Sequence, residues 1–186
     1  VTGHFGNYDA MRARLLARGF RIGGLYKRMS NPFFHEHYLE AMKTVGEPMF
    51  ERDRRGMTQM IRFLRQGGMV GIVLDQRMND APILDFMGRP ARTSFSAAEL
   101  ALKYDALLVP VYGIRQHDGS YALEIEAPIA KSTPEDMTQQ LNNSLERQVR
   151  AHPEQWMWTH NRWKNAGNDT ADDQATATLV EDTSQK

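Results

Sequence analysis

The chain contains no cysteine. That excludes disulfides, thiolate metal sites and a cysteine nucleophile, and leaves the compartment open. It has no run of about 18 apolar residues, so no segment of the sequence reads as spanning a bilayer. It opens VTGHFGN, with no charged stretch ahead of an apolar one, so no signal peptide is read. It also lacks an initiator methionine and starts on what reads as the end of a buried strand. We take it as a fragment or processed chain whose upstream part is missing. There is no Gly-x-Ser-x-Gly elbow, P-loop or dinucleotide fingerprint. Gly67-Gly68 reads as a helix stop and Gly23-Gly24 as part of a strand. No cofactor and no nucleic-acid partner is expected.

What remains is a chain of 186 residues, 41% of them hydrophobic, the size of one ordinary domain with a core. Net charge is also missing, with 23 basic and 23 acidic residues. The balance conceals an uneven distribution, because five acids and only Lys186 lie from Asn165 onward. Residues 1–164 therefore carry 22 basic and 18 acidic side chains, a surplus that suits an anionic partner. The tail, rich in Thr, Ala and Asp, is read as disordered. The expected domain is thus 1–164, followed by an acidic tail over 165–186.

Periodicity predicts a helix over Tyr8–Arg18 stopped by Gly19, a strand over Arg21–Tyr26, and a helix from Pro32 to about Thr44. A strand is expected over Glu47–Glu51 and an amphipathic helix over Arg54–Arg65. Met69–Leu74 (MVGIVL) has the continuous apolar character of a strand covered on both faces. A short hairpin-like piece follows over Ile83–Met87. A helix is expected over Ser94–Tyr104, capped by Thr93 or Ser94, and a buried strand over Ala106–Tyr112. Tyr121–Ile125 reads as an edge strand, Pro134–Arg150 as a long helix and Pro153–Trp163 as a short aromatic one. Strands alternating with helices indicate an α/β fold with a largely parallel central sheet flanked by helices.

In such folds functional residues gather at the carboxyl ends of strands. Gly3-His4, Tyr26-Lys27-Arg28 and Asp75-Gln76-Arg77 take those positions. His4 and Asp9 stand five apart. With Asn7 as N-cap, His4 lies in a loop and Asp9 in the first helical turn, from where its carboxylate can reach one imidazole nitrogen. About one such His-x4-acid match is expected by chance, and His35 with Glu40 is a second. That pair lies within a helix, where five residues separate the faces. A metal site at His35-Glu36-His37 fails for the same reason: side chains two apart diverge on a helix and no third ligand is indicated. Arg89 and Arg92 flank a turn read as leading into a helix, either a cradle for phosphate or carboxylate or two surface arginines. The Trp156, Trp158 and Trp163 cluster reads as core, with a membrane interface as the other reading.

Five segments in order, HFGNYD, GLYKRMSNP, VLDQR, FMGRPARTSFSAAELALKYDALLVPV and HPEQWMWTHNRWK, resemble the bacterial lipid A biosynthesis acyltransferases. These are the lauroyl/myristoyl type of the lysophospholipid acyltransferase superfamily, and the likeness runs from Val1 to about Lys164. The resemblance implies an acyltransferase-like fold. It implies transfer of a fatty acyl chain from acyl carrier protein to a hydroxyl of a lipid A precursor, at the cytoplasmic face of the inner membrane. It implies His4 as general base with Asp9 as its orienting partner. Lys27, Arg28 and Asn31 would line the site, with Asp75, Gln76, Arg89 and Arg92 holding acceptor phosphates or the site's architecture. Two positions depart from the pattern: relatives often carry glutamate at position 9, and an arginine near Met42-Lys43. A related enzyme acting on another glycolipid or lysophospholipid, and a non-catalytic phospholipid-binding domain, are the alternatives.

Overall fold

Strand β1 (Ile22–Tyr26) runs between β2 (Met49–Glu51) and β3 (Met69–Gly71), all three parallel. Helix α1 (Tyr8–Ala17) precedes β1, α2 (Pro32–Val45) joins it to β2, and α3 (Arg54–Arg65) joins β2 to β3. This is the expected parallel sheet flanked by helices, in a computed structural model that describes residues 1–164 and residue 166. The expectation of a disordered tail falls almost wholly outside those residues. Each of these three helices starts where a polar side chain accepts one or two of the first free amides. Asn7 caps α1 by accepting from the amides of Asp9 and Ala10, Asn31 caps α2 through Phe34, and Asp53 caps α3 through Gly56.

The sheet does not stop at β3. The opening residues continue it, with Thr2 bridging Val73 in parallel and the amide of Val111 bonding to the carbonyl of Val1. Thus β6 (Val111–Arg115) and β7 (Tyr121–Ile125), an antiparallel pair, extend from the far side of Val1. The buried strand expected from Ala106 begins later, at Val111, with the carbonyls of Val109 and Pro110 already accepting from Val1 and Glu126 ahead of it. The run Met69–Leu74 is not covered on both faces. Met69 is exposed and Val70–Leu74 are half-buried, since Ile72 and Val73 wall an open cleft.

Between β3 and the rest lies a hairpin of β4 (Ile83–Phe86) and β5 (Arg89–Arg92). Its two-residue turn holds Met87 and Gly88 at φ 59° and 74°, the paired positive values that suit the twist of a tight hairpin. Arg89–Arg92 is therefore strand rather than a turn into a helix, and α4 (Ser96–Lys103) starts later than expected. Thr93 cannot cap it, because it is buried with its hydroxyl bonded to the Ala91 carbonyl. The long helix α5 (Pro134–Ala151), capped by Thr133, lays Leu141 against α4, and Leu145 and Val149 against Phe5, Phe86 and Tyr112.

The segment after α5 corrects the sequence reading most. Only Pro153–Gln155 makes a helical turn, of the 3₁₀ kind. Beyond it Trp156 and Met157 lie along the opening loop, and the chain then turns at 158–159 and again at 162–164. Gly6 donates to the carbonyl of Gln155, and Met157 to that of His4. Backbone bonding to a neighbour has replaced the helix that local propensity suggested. Trp156 is buried and Trp163 packs on the same core, whereas Trp158 is half-exposed.

Candidate functional site

Register explains how the site assembles. Thr2 pairs with Val73, so the residues two further along each strand, His4 and Asp75, emerge side by side on one face at the carboxyl edge. The amide of His4 donates to Asp75 Oδ2 at 2.9 Å, and His4 Nδ1 lies 2.7 Å from Asp75 Oδ1. Trp156 Nε1 donates to Oδ2 at 2.9 Å. The Asp75 side chain is only 4% exposed, the His4 ring 22%. Burial by itself pushes the Asp75 carboxyl up. The His4 ring, then Trp156 and the His4 amide, outweigh that and hold it below the usual carboxylate range. An ionised carboxylate only accepts hydrogen bonds, so Nδ1 carries the proton and Nε2 presents its lone pair outward. The Gln76 amide nitrogen is 3.4 Å from Nε2.

This corrects the pairing expected from spacing. The carboxylate that orients His4 is Asp75. Asp9 does sit in the first turn of α1, but it faces Arg12, accepting from Nε at 3.3 Å and Nη2 at 3.1 Å. Arg12 is buried and also donates to the carbonyls of Gly46 and Met42 at 2.6 and 2.7 Å, tying α1 to the end of α2. The turn that aims His4 depends on Gly6, at φ 54°. A Cβ there would lie 2.1 Å from the Gly113 carbonyl oxygen, which only glycine tolerates.

His4, Tyr8 and Asp9 line a cleft of about 330 Å³ whose wall is otherwise largely apolar and rich in methionine, including Met11, Met42, Met49, Ile72 and Val73. The Tyr8 ring meets His4 edge-on, and burial, then hydrogen bonding with Tyr38, raises its hydroxyl's pKa well above the ordinary value. Lys27, Arg52 and Gln76 line both this cleft and a neighbouring, more polar one of about 690 Å³ that continues past Arg77 to Ser94 and Ser96.

The remaining predicted residues divide. Lys27 and Gln76 reach the cleft. Arg28 is exposed beside it, and Asn31 is the cap of α2, its side-chain oxygen committed to the Phe34 amide. Asp75 lines no substrate space, because both its oxygens are engaged within the fold. Arg89 and Arg92 do not form one cradle. They sit three apart on a strand, Arg89 over the Trp163 ring at 5.2 Å and Arg92 donating to the Ala81 carbonyl at 2.9 Å. His35 is buried and stacked on Tyr26, away from Glu40, which is exposed.

Sequence reasoning missed Trp156 as a donor to Asp75, along with Arg12 and Tyr8. It also missed Arg162, whose buried guanidinium lies over Phe86 and donates to the Arg92 carbonyl and Thr93 hydroxyl. His160 accepts from the Arg77 amide at 2.9 Å, and partial burial lowers its pKa. That bond holds the neutral ring against the loop that follows Asp75. Trp156 had a legible signal, an aromatic within PEQWMW, but no local pattern pairs it with residue 75.

The family model described as bacterial lipid A biosynthesis acyltransferase matches residues 1–165. Comparison with curated proteins returns no matching relative.

Proposed function

Because the chain belongs to the bacterial lipid A biosynthesis acyltransferase family, we propose that it moves a fatty acyl chain from an acyl carrier protein thioester to a hydroxyl of a lipid A precursor, with His4 as general base. The observation that carries this reading is the His4 ring. Its Nδ1 is fixed on a buried carboxylate at 2.7 Å while Nε2 faces an apolar cleft. A base needs such an orientation, and contributes about two to four orders of magnitude when it has it.

In the proposed reaction Nε2 takes the acceptor hydroxyl proton as its oxygen attacks the thioester carbon. Asp75, itself buried, stabilises the imidazolium that forms. The new C–O bond replaces the C–S bond, and the proton passes from His4 to the departing thiolate. No covalent acyl-enzyme is required. The methionine-rich wall suits an acyl chain, since flexible thioethers fill irregular apolar space. Lys27 and Arg52 at the rim suit the phosphates of a glycolipid acceptor. Asp9 enters as the partner that holds Arg12 and shapes the cleft beside His4.

Among the described residues no helix is long and apolar enough to cross a membrane. We place the protein on the cytoplasmic face of the inner membrane, where this donor and acceptor meet. His4→Ala should lower acyl transfer by about two to four orders of magnitude while the circular dichroism of the fold is retained. Full activity in that variant would overturn the assignment. Mass spectrometry of the product identifies the acceptor. Acylation of another glycolipid or lysophospholipid, with lipid A precursor left unmodified, would replace the acceptor but keep the chemistry. Anionic lipid binding without turnover would favour the non-catalytic domain.

A further inference from the structure

Eight consecutive residues, KRMSNPFF over 27–34, are exposed between β1 and the first turn of α2. Phe33 is 84% exposed, Phe34 53% and Met29 37%. Isolated exposed apolar residues are ordinary, but three in one short segment form a patch. The patch is also held in place. The Asn31 cap and Pro32 in the first turn fix where α2 begins, so the two phenylalanines are presented by a rigid helix start. Phe34 stacks on Tyr38, which lines the His4 cleft, and Met29 lines it as well. The exposed patch is therefore continuous with the cleft wall.

The charge around it has one predominant sign. Lys27 and Arg28 precede the patch. Arg52, whose amide donates to the Tyr26 carbonyl at 2.8 Å, stands beside them, and the exposed Arg54 and Arg55 follow. No acid lies in the first turn of α2. Of the acids nearby, Asp53 is committed to the Gly56 amide and Glu51 to Tyr26, while Glu36 lies on the second turn. Exposed aromatics rimmed by cations match the two layers of an anionic bilayer surface, apolar chains beneath phosphates.

We propose that this patch is a membrane-docking surface. Phe33 and Phe34 enter the acyl layer of an anionic phospholipid bilayer, the flanking basic residues meet its phosphates, and the His4 cleft opens onto the lipid. The proposal rests on the reading of the cleft as a lipid site. It supplies what that reading lacks, a route by which the lipid acceptor reaches His4 without leaving the bilayer for water.

The absence of cysteine allows a clean test. Phe33→Cys carries an environment-sensitive fluorophore. Leu107→Cys, 76% exposed and preceding the strand that meets Val1 at the opposite sheet edge, is the control. With phosphatidylcholine vesicles containing phosphatidylglycerol, the label at 33 should shift to the blue and brighten, and the label at 107 should not. Phe33→Ser with Phe34→Ser should weaken vesicle binding at least about tenfold. Removing Lys27 or Arg28 should weaken it about fivefold each, with the effect fading in high salt. Transfer to detergent-dispersed acceptor should survive the double serine change, which separates this proposal from the chemistry at His4. A label at 33 that stays in water on bound protein, or serine variants that bind like the parent, would overturn it. So would failure to bind anionic vesicles alongside capture of acyl carrier protein by the same face.

Discussion

At the scale of residues, the site rests on one carboxylate with three donors. Asp75 accepts from the His4 ring, the His4 amide and Trp156. Asp75→Asn keeps the shape but replaces an acceptor oxygen with a donor nitrogen, and it releases the ring tautomer. Acyl transfer should fall by about two to four orders of magnitude. Asp9→Asn should act differently, by leaving the buried Arg12 guanidinium without its anion. The Asp9 side chain is 33% exposed, so the cost is discounted from that of a fully buried pair to about 1–3 kcal/mol, read as a lower urea midpoint. Because the folded carboxyl of Asp75 titrates below its unfolded value, it adds stability above about pH 4 that is lost as pH falls through the folded value. Urea midpoints of the parent should therefore fall more steeply below about pH 4 than those of Asp75→Asn. Parallel curves would contradict the assignment.

At the scale of elements, the starts of α1 and α2 were legible and the pairing of strands far apart in sequence was not. Asn7, and Asn31 before Pro32, announce α1 and α2 because a capping side chain acts within three residues of itself. The pairing of Thr2 with Val73 is set by how two distant strands align, and no window around either encodes it. The same limit hid the course of residues 156–163, a short bridge to the opening loop followed by turns. Its aromatic spacing suits a helix, but its backbone bonds to the His4 loop instead. It also made Arg89–Arg92 look like a turn, although the true turn is Met87-Gly88. The loop that aims His4 is tightly constrained at Gly6. Gly6→Ala would set a Cβ against the Gly113 carbonyl at a positive φ, and should cost more than about 2 kcal/mol or prevent folding. A melting temperature equal to the parent's would contradict the close approach.

At the scale of the molecule, the opening residues join two pieces of sheet, β2-β1-β3 on one side and β6-β7 on the other. Hydrogen exchange should find the amides of Thr2, Leu74 and Val111 opening together with β1. Rapid exchange at those three with β1 still protected would mean the junction is loose. The fold class, and the placement of His4, Lys27 and Gln76 at one cleft, were readable from strand ends. The partner of His4 was not, since it lies 71 residues away and only the assembled sheet brings it near. Asp9, five residues away, occupied that place in the sequence reading because proximity along the chain is visible there and strand register is not. The imidazole nitrogen NMR spectrum of His4 decides between the two carboxylates. The Nδ1–H tautomer should be present with a downfield Nδ1 proton, retained in Asp9→Asn and lost in Asp75→Asn. An Nε2–H tautomer, or a downfield proton lost in Asp9→Asn and kept in Asp75→Asn, would contradict the site described.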